Sequence, residues 1–348
     1  MAPPRLPPQS ARVLPMPPKP AASPATALPA LPLPADALKP GRWSGLSEAA
    51  QALAIAATAA RTQALLLVLA PDTQTALRLD AAIGWFAGTL DVPRLVFPDW
   101  ETLPYDQFSP HQDLVSQRLA TLYRLPVQKR GVLIVPAPTL MQRLCPRSFL
   151  DAHALLLAVG DRLDADAFRT RLEAAGYVCV AQVMEHGEFA VRGSIVDVFP
   201  STADGPVRID LWGDEVERLT DFSVNDQRSD NDVERVEIFP CRELMTTDDV
   251  RERAEALIES EPWGRDQWEK LADGQSFDGM ESWLPWLTGD GATAAHVLFD
   301  LVGPESQVIL VDPRRMRDRA ADIIAEEVDL ARTLSGTWGA SDDGVLPR

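Results

Sequence analysis

The chain has 348 residues, enough for two or three domains with cores of their own. Its 46% hydrophobic and 24% charged residues are ordinary for a soluble globular protein, and no apolar run is long enough to cross a membrane. A formal net charge of -18 argues against a nucleic-acid grip through phosphates and favours protein partners.

Residues 1–40 hold 13 of the 30 prolines and a single acid, Asp36. Such a segment can form neither a ladder nor a long helix, so a disordered, partly polyproline arm is expected. Arg5, Arg12 and Lys19 give it an acid-poor start, but it lacks the apolar stretch or amphipathic helix of a targeting peptide.

From residue 41 to 150 the pattern alternates. "LSEAAQALAIAATAARTQ" reads as a helix capped by Ser47, and "ALLLVLAPD" as a strand buried on both faces. "TQTALRLDAAIGWFAG" reads as a helix ending near Gly88, followed by the strand "PRLVFP", the helix "DLVSQRLATLYRL" and the strand-to-helix run "GVLIVPAPTLMQRL". That alternation predicts an α/β domain around a parallel, doubly wound sheet.

At residue 151 the rhythm changes. "HALLLAVGD" predicts a strand and "DADAFRTRLEAAGY" a helix closed near Gly176. "VCVAQVMEHGEFAVRGSIVDVFP" and "VRIDLWGDEVERLTDFS" then alternate as strands, with turns at His186–Gly187 and Gly213–Asp214. This α+β unit is expected over residues 151–238. Residues 239–348 are mostly helical and acidic, with "HVLFDL" and "QVILVD" as two more buried-strand candidates that could complete the first sheet. The α+β unit would then be an insertion in a larger domain.

Cys145, Cys179 and Cys241 are far apart, and with four scattered histidines they give neither a zinc spacing nor a disulfide framework. A reducing, cytoplasmic compartment is expected. No phosphate loop, dinucleotide fingerprint, HExxH or GxSxG occurs, so no catalytic residue, metal ligand or cofactor is assigned.

The stretch "FPDWETLPYDQFSPHQDLVSQRLATLYRL" places Trp100, Glu101, Tyr105, Asp106, His111 and Asp113 close together, residue types that suit a carboxylate-based hydrolase. An acid–base pair must however be held on rigid elements, and these carboxylates lie in a proline-bounded loop. Asp99, Asp106 and Ser109 fit better as turn or helix caps.

The same stretch, with "GVLIVPAPTLMQRLCP", "QVMEHGEFAVRGSIVDVFP", "VRIDLWGDEVERLTDFSVNDQRS" and "DGMESWLPWL" in order, resembles the N-terminal region of the bacterial transcription-repair coupling factors (Mfd). The resemblance spans roughly residues 45–340. It implies a degenerate motor-like domain, similar to the repair protein UvrB, in two chain segments (41–150 and 239–348) around an inserted UvrA-binding domain at 151–238. Where UvrB has its phosphate loop, this chain reads "SGLSEAAQALAIA", and UvrB's DNA-clamping hairpin is reduced to "WETLPYDQFSPHQD". The region is then a non-catalytic UvrB mimic that recruits UvrA to stalled RNA polymerase. ATP, DNA and RNA polymerase would be engaged only by modules of the full-length parent, an ATP-dependent translocase.

By the same resemblance, Arg192, Arg208, Asp210 and Trp212 match the positions that dock UvrA. Strand alternation places 208, 210 and 212 on one face, a combination suited to an interface. An exposed strand face with a local Arg–Asp pair is the bland alternative, and a nucleotide-dependent motor half or a hydrolase around residues 99–113 the enzymatic one. Truncating Arg208 or Trp212 is expected to remove docking without unfolding the chain.

Overall fold

Leu65–Ala70 is apolar at all six positions, and such a strand needs cover on both faces. In the computed structural model, which describes residues 41–103, 106–203, 205–261, 263–289 and 294–335, it receives both. The expected proline-rich arm and Tyr105 lie outside the described residues. The first segment runs α1 (Glu48–Arg61), β1 (Leu65–Ala70), α2 (Thr73–Leu90), β2 (Arg94–Val96), α3 (Gln112–Arg124) and β3 (Gly131–Pro136). β1, β2 and β3 are parallel, with β3 in the middle. Leu66, Val68, Val132 and Ile134 pack against α1 and α2, while Leu65, Leu67, Leu133 and Val135 pack against Val115, Leu119 and Leu122 of α3.

Ser47 caps α1 by accepting from the Ala50 N–H, and Asp72 caps α2 by accepting from Thr75. α2 does not stop at Gly88. It continues to Leu90 and closes on Asp91 in the left-handed conformation (φ 51°), which the short aspartate side chain tolerates. α3 is capped by His111, whose Nδ1 accepts from the Asp113 N–H, rather than by Asp106 or Ser109.

Two short helices, α4 (Ala137–Leu140) and α5 (Arg147–His153), lead to β4 (Leu155–Ala158) and α6 (Ala165–Ala174). Then follow β5 (Val178–Cys179), β6 (Glu188–Arg192), β7 (Ile195–Val198), β8 (Val207–Trp212), β9 (Glu215–Phe222), β10 (Ser229–Asp232) and β11 (Arg235–Ile238). β5 to β10 form one sheet in chain order. One face of it, including Phe189, Val196, Val198, Ile209 and Leu219, shares a core with Phe168 and Leu172 of α6. β4 and β11 pair antiparallel, Leu155 opposite Ile238, so the chain enters and leaves this unit side by side. Gly213–Asp214 turns β8 into β9 as expected. His186–Gly187 turns the chain ahead of β6, which runs parallel to β5; the β6–β7 hairpin itself turns at Gly193–Ser194.

The last segment comprises α7 (Asp248–Ser260), α8 (Arg265–Ala272), α9 (Leu284–Leu287), α10 (Leu298–Leu301), β12 (Gln307–Leu310) and α11 (Pro313–Ser335). Trp263, Trp268, Met280, Trp283 and Leu284 build a separate helical core with α7. "HVLFDL" is not the expected strand. It carries the helical turn α10, with Asp300 accepting from the Val297 N–H and Leu298 buried while Phe299 is exposed. "QVILVD" is a strand but not a buried one: β12 lies parallel to β1, Leu66 opposite Gln307, at the edge of the order β12-β1-β3-β2, and Val308 and Leu310 are exposed.

Candidate docking face

The polar groups around residues 97–113 hold a loop in place. Arg118, on α3, is fully buried; its Nε donates to Glu243 Oε1 and its Nη1 to the Pro98 carbonyl at 2.7 Å. Trp100 Nε1 donates to the same Glu243 oxygen at 2.9 Å, and the rings of Phe97 and Trp100 flank the guanidinium. Asp99 accepts from Gln142 at 2.7 Å, and burial pushes its carboxyl above the usual range. Ser109 Oγ donates to Glu281 at 2.7 Å, and Arg242 adds a contact at 3.1 Å; burial raises the Glu281 carboxyl as well. Glu101 stands in the left-handed region (φ 58°) and is exposed, and Asp106 lies five residues further along the same loop. Asp113 reaches His111 at 3.6 Å and His186, ahead of β6, at 3.7 Å. Sequence reasoning missed Arg118, Glu243, Arg242 and Glu281.

The other face of the six-stranded sheet is polar towards its open end. β8 alternates strictly: Val207, Ile209 and Leu211 point into the core, while Arg208 and Asp210 are half-buried and Trp212 is 77% exposed. The structure therefore brings Arg208, Asp210 and Trp212 to one face, despite a bulge between Asp210 and Leu211. Arg192 joins them from the end of β6, because Ala190 stands opposite Asp197 and Arg192 opposite Ile195.

At the centre lies a residue the sequence reading passed over. Asp197, on β7, is 0% exposed and faces Arg208 across the ladder. Arg208 grips it with two bonds, Nε to Oδ1 at 2.7 Å and Nη2 to Oδ2 at 3.0 Å, and Arg192 Nη2 donates to Oδ2 as well. Arg208 Nη1 turns to the Gln227 carbonyl at 3.3 Å and Ser229 Oγ at 3.4 Å, over the Phe222 ring. The hydrogen bond to Asp197 holds the Arg208 pKa above its ordinary value. Arg208 is thus a largely enclosed group with 16% of its side chain exposed, whereas Arg192 keeps 47% in solvent. The parity of "SIVDVFP" carried the signal, since Asp197 alternates with the inward Val196 and Val198.

Among the described residues, no group of three or more His, Cys, Asp or Glu is arranged to hold a metal ion, and no helix is long and apolar enough to cross a membrane. Cys145 and Cys241 are buried, and burial pushes the Cys241 thiol up to about 12.

Residues 155–244, the whole of this sheet with its flanking strands, match the family model of the UvrB interaction domain. The motif resemblance holds. The chain is 50% identical over 201 residues to the transcription-repair-coupling factor of Escherichia coli (strain K12), covering 58% of this chain and 17% of that protein. It is 41% identical over 269 residues to the Haemophilus influenzae factor (76% of this chain, 23% of the relative). With the Mycobacterium bovis factor it shares 35% over 324 residues (88% and 25%). The chain spans about a quarter or less of the length of these transcription-repair-coupling factors.

Proposed function

We propose that this chain acts as the N-terminal module of a transcription-repair-coupling factor, a non-catalytic UvrB mimic that recruits UvrA to stalled RNA polymerase. UvrA docks on the exposed part of the sheet face: Arg192, Asp210 and Trp212 meet the partner, and Arg208 stands behind them as their support. The observation that carries this reading is the open, polar and aromatic sheet face within the UvrB interaction domain match. An exposed tryptophan on the same sheet face as a half-exposed arginine supplies residue types that dominate interface energies.

The two-segment reading of the parallel-sheet domain draws support from the parallel pairing of β12 with β1 and from the adjoining entry and exit strands of the inserted unit. Its lack of an ATP site draws support from α1. Ser47 already caps that helix and Glu48 places a carboxylate in its first turn, where a phosphate would need free N–H groups and positive charge. RNA polymerase, DNA and ATP-driven translocation fall to modules outside these residues.

The test is co-purification of the chain with UvrA, beside a titration with a fluorescent ATP analogue. Retention of UvrA with no saturable nucleotide binding is expected. Micromolar nucleotide binding without UvrA retention would favour the motor-half reading instead.

A further inference from the structure

We infer that Asp197 is a positioning residue for docking, holding Arg192 in the orientation in which its outward N–H groups meet the partner. The inference rests on the docking reading above. A carboxylate with no solvent exposure is stable only when its oxygens are paired, and both oxygens of Asp197 accept from guanidiniums. Asp197 sits within β7, bonded on both sides to β6 and β8, so the strand cannot swing away to release its arginines.

The two arginines are used differently. Arg208 has its Nε and both Nη groups engaged within the chain and reinforces the negative charge's position. Arg192 gives Asp197 one Nη2 bond and leaves nearly half its side chain in water. It lies at the base of the Gly193–Ser194 turn, where its long side chain would otherwise sample many rotamers. Fixing it before the partner arrives removes an ordering cost from the binding step. The guanidinium's remaining donors keep their planar fork, suited to a carboxylate or carbonyl on the partner.

The test measures UvrA dissociation constants for the intact 348-residue parent, Arg192→Ala, Asp197→Asn and the double variant. Asp197→Asn keeps the volume and removes the charge. Each single variant is expected to weaken binding about tenfold, and the double variant no more than either alone, because Asp197 acts through Arg192. A general loss of sheet integrity would instead leave the Arg192→Ala penalty intact in the Asp197→Asn background, and such additivity overturns the inference. So does a folded Asp197→Asn chain that binds like the parent while Arg192→Ala is impaired; that outcome leaves the docking reading standing. If Arg192→Ala and Trp212→Ala both bind like the parent, the docking reading itself fails. Should Asp197→Asn not fold, 15N NMR of the parent's guanidinium groups decides. Hindered rotation about the Cζ–Nη bonds of Arg192 is expected, and rotation as free as in an exposed arginine contradicts the inference.

Discussion

Arg118 and Glu243 lie 125 positions apart, and no local reading of the sequence could have paired them. A weaker signal was present: Val115, Arg118, Leu119 and Leu122 follow the spacing of one helix face, and all four are buried. Removing one partner from a buried ion pair leaves the other uncompensated, at about 3–5 kcal/mol. Arg118→Ala is therefore expected to lower the free energy of unfolding, measured by chemical denaturation, by that much, with loss of the Trp100 contact visible in fluorescence; a change below about 1 kcal/mol would contradict this. The same logic revises the expectation for Arg208. Arg208→Ala strips the buried Asp197 of its bidentate partner and destabilises the sheet, whereas Trp212→Ala, 77% exposed, leaves the melting temperature near the parent's. Equal melting temperatures for the two variants would show that Arg208 is not structural. Glu281 adds a pH dependence. Burial raises its folded-state pKa above the ordinary 4.5, so the folded state loses stability as pH rises through that raised value. The melting temperature of the parent minus that of the non-titrating Glu281→Gln variant should fall from acid to neutral pH; a difference that rises over this range contradicts the assignment.

At the scale of elements, hydrophobic patterning carried most of the fold. β1 and β3 were legible as continuous apolar runs and β8 as an alternating one, whereas the apolar run of β12, expected to be buried, forms a half-exposed strand at the sheet edge. "HVLFDL" failed because four apolar residues in six satisfy a buried helical turn as well as a strand, and Asp300 decides the matter by capping it. The register of the sheets depended on backbone geometry that patterning does not express. Gly131 opens β3 at φ 115°, and an added Cβ would lie 2.4 Å from the Pro93 carbonyl. Gly213, at φ 65° in the β8–β9 turn, has open space around it. Gly131→Ala should accordingly cost at least about 2 kcal/mol by chemical denaturation, and Gly213→Ala about 1 kcal/mol. The reverse order would mean that the β3 entrance can relax.

Across the whole molecule, the α+β unit of residues 155–238 has its own core and begins and ends on adjacent strands, Leu155 opposite Ile238. Excised as residues 151–244, it should fold cooperatively and retain UvrA binding within a few fold of the full chain; a molten fragment would show that contacts such as His186 to Asp113 are required. The resemblance of several motifs in order pointed to the family, while composition alone could say only that a chain with net charge -18 suits protein partners. That Arg208 is largely enclosed while Arg192 stays half exposed became visible only with Asp197 in place. The most direct test of the docking account is backbone hydrogen exchange of the full chain with and without saturating UvrA. Added protection is expected at the β6–β7 turn and along β8 and the β8–β9 turn, with α2 and α11 unchanged. Protection confined to the parallel-sheet domain, or none under conditions where the two proteins co-purify, would contradict it.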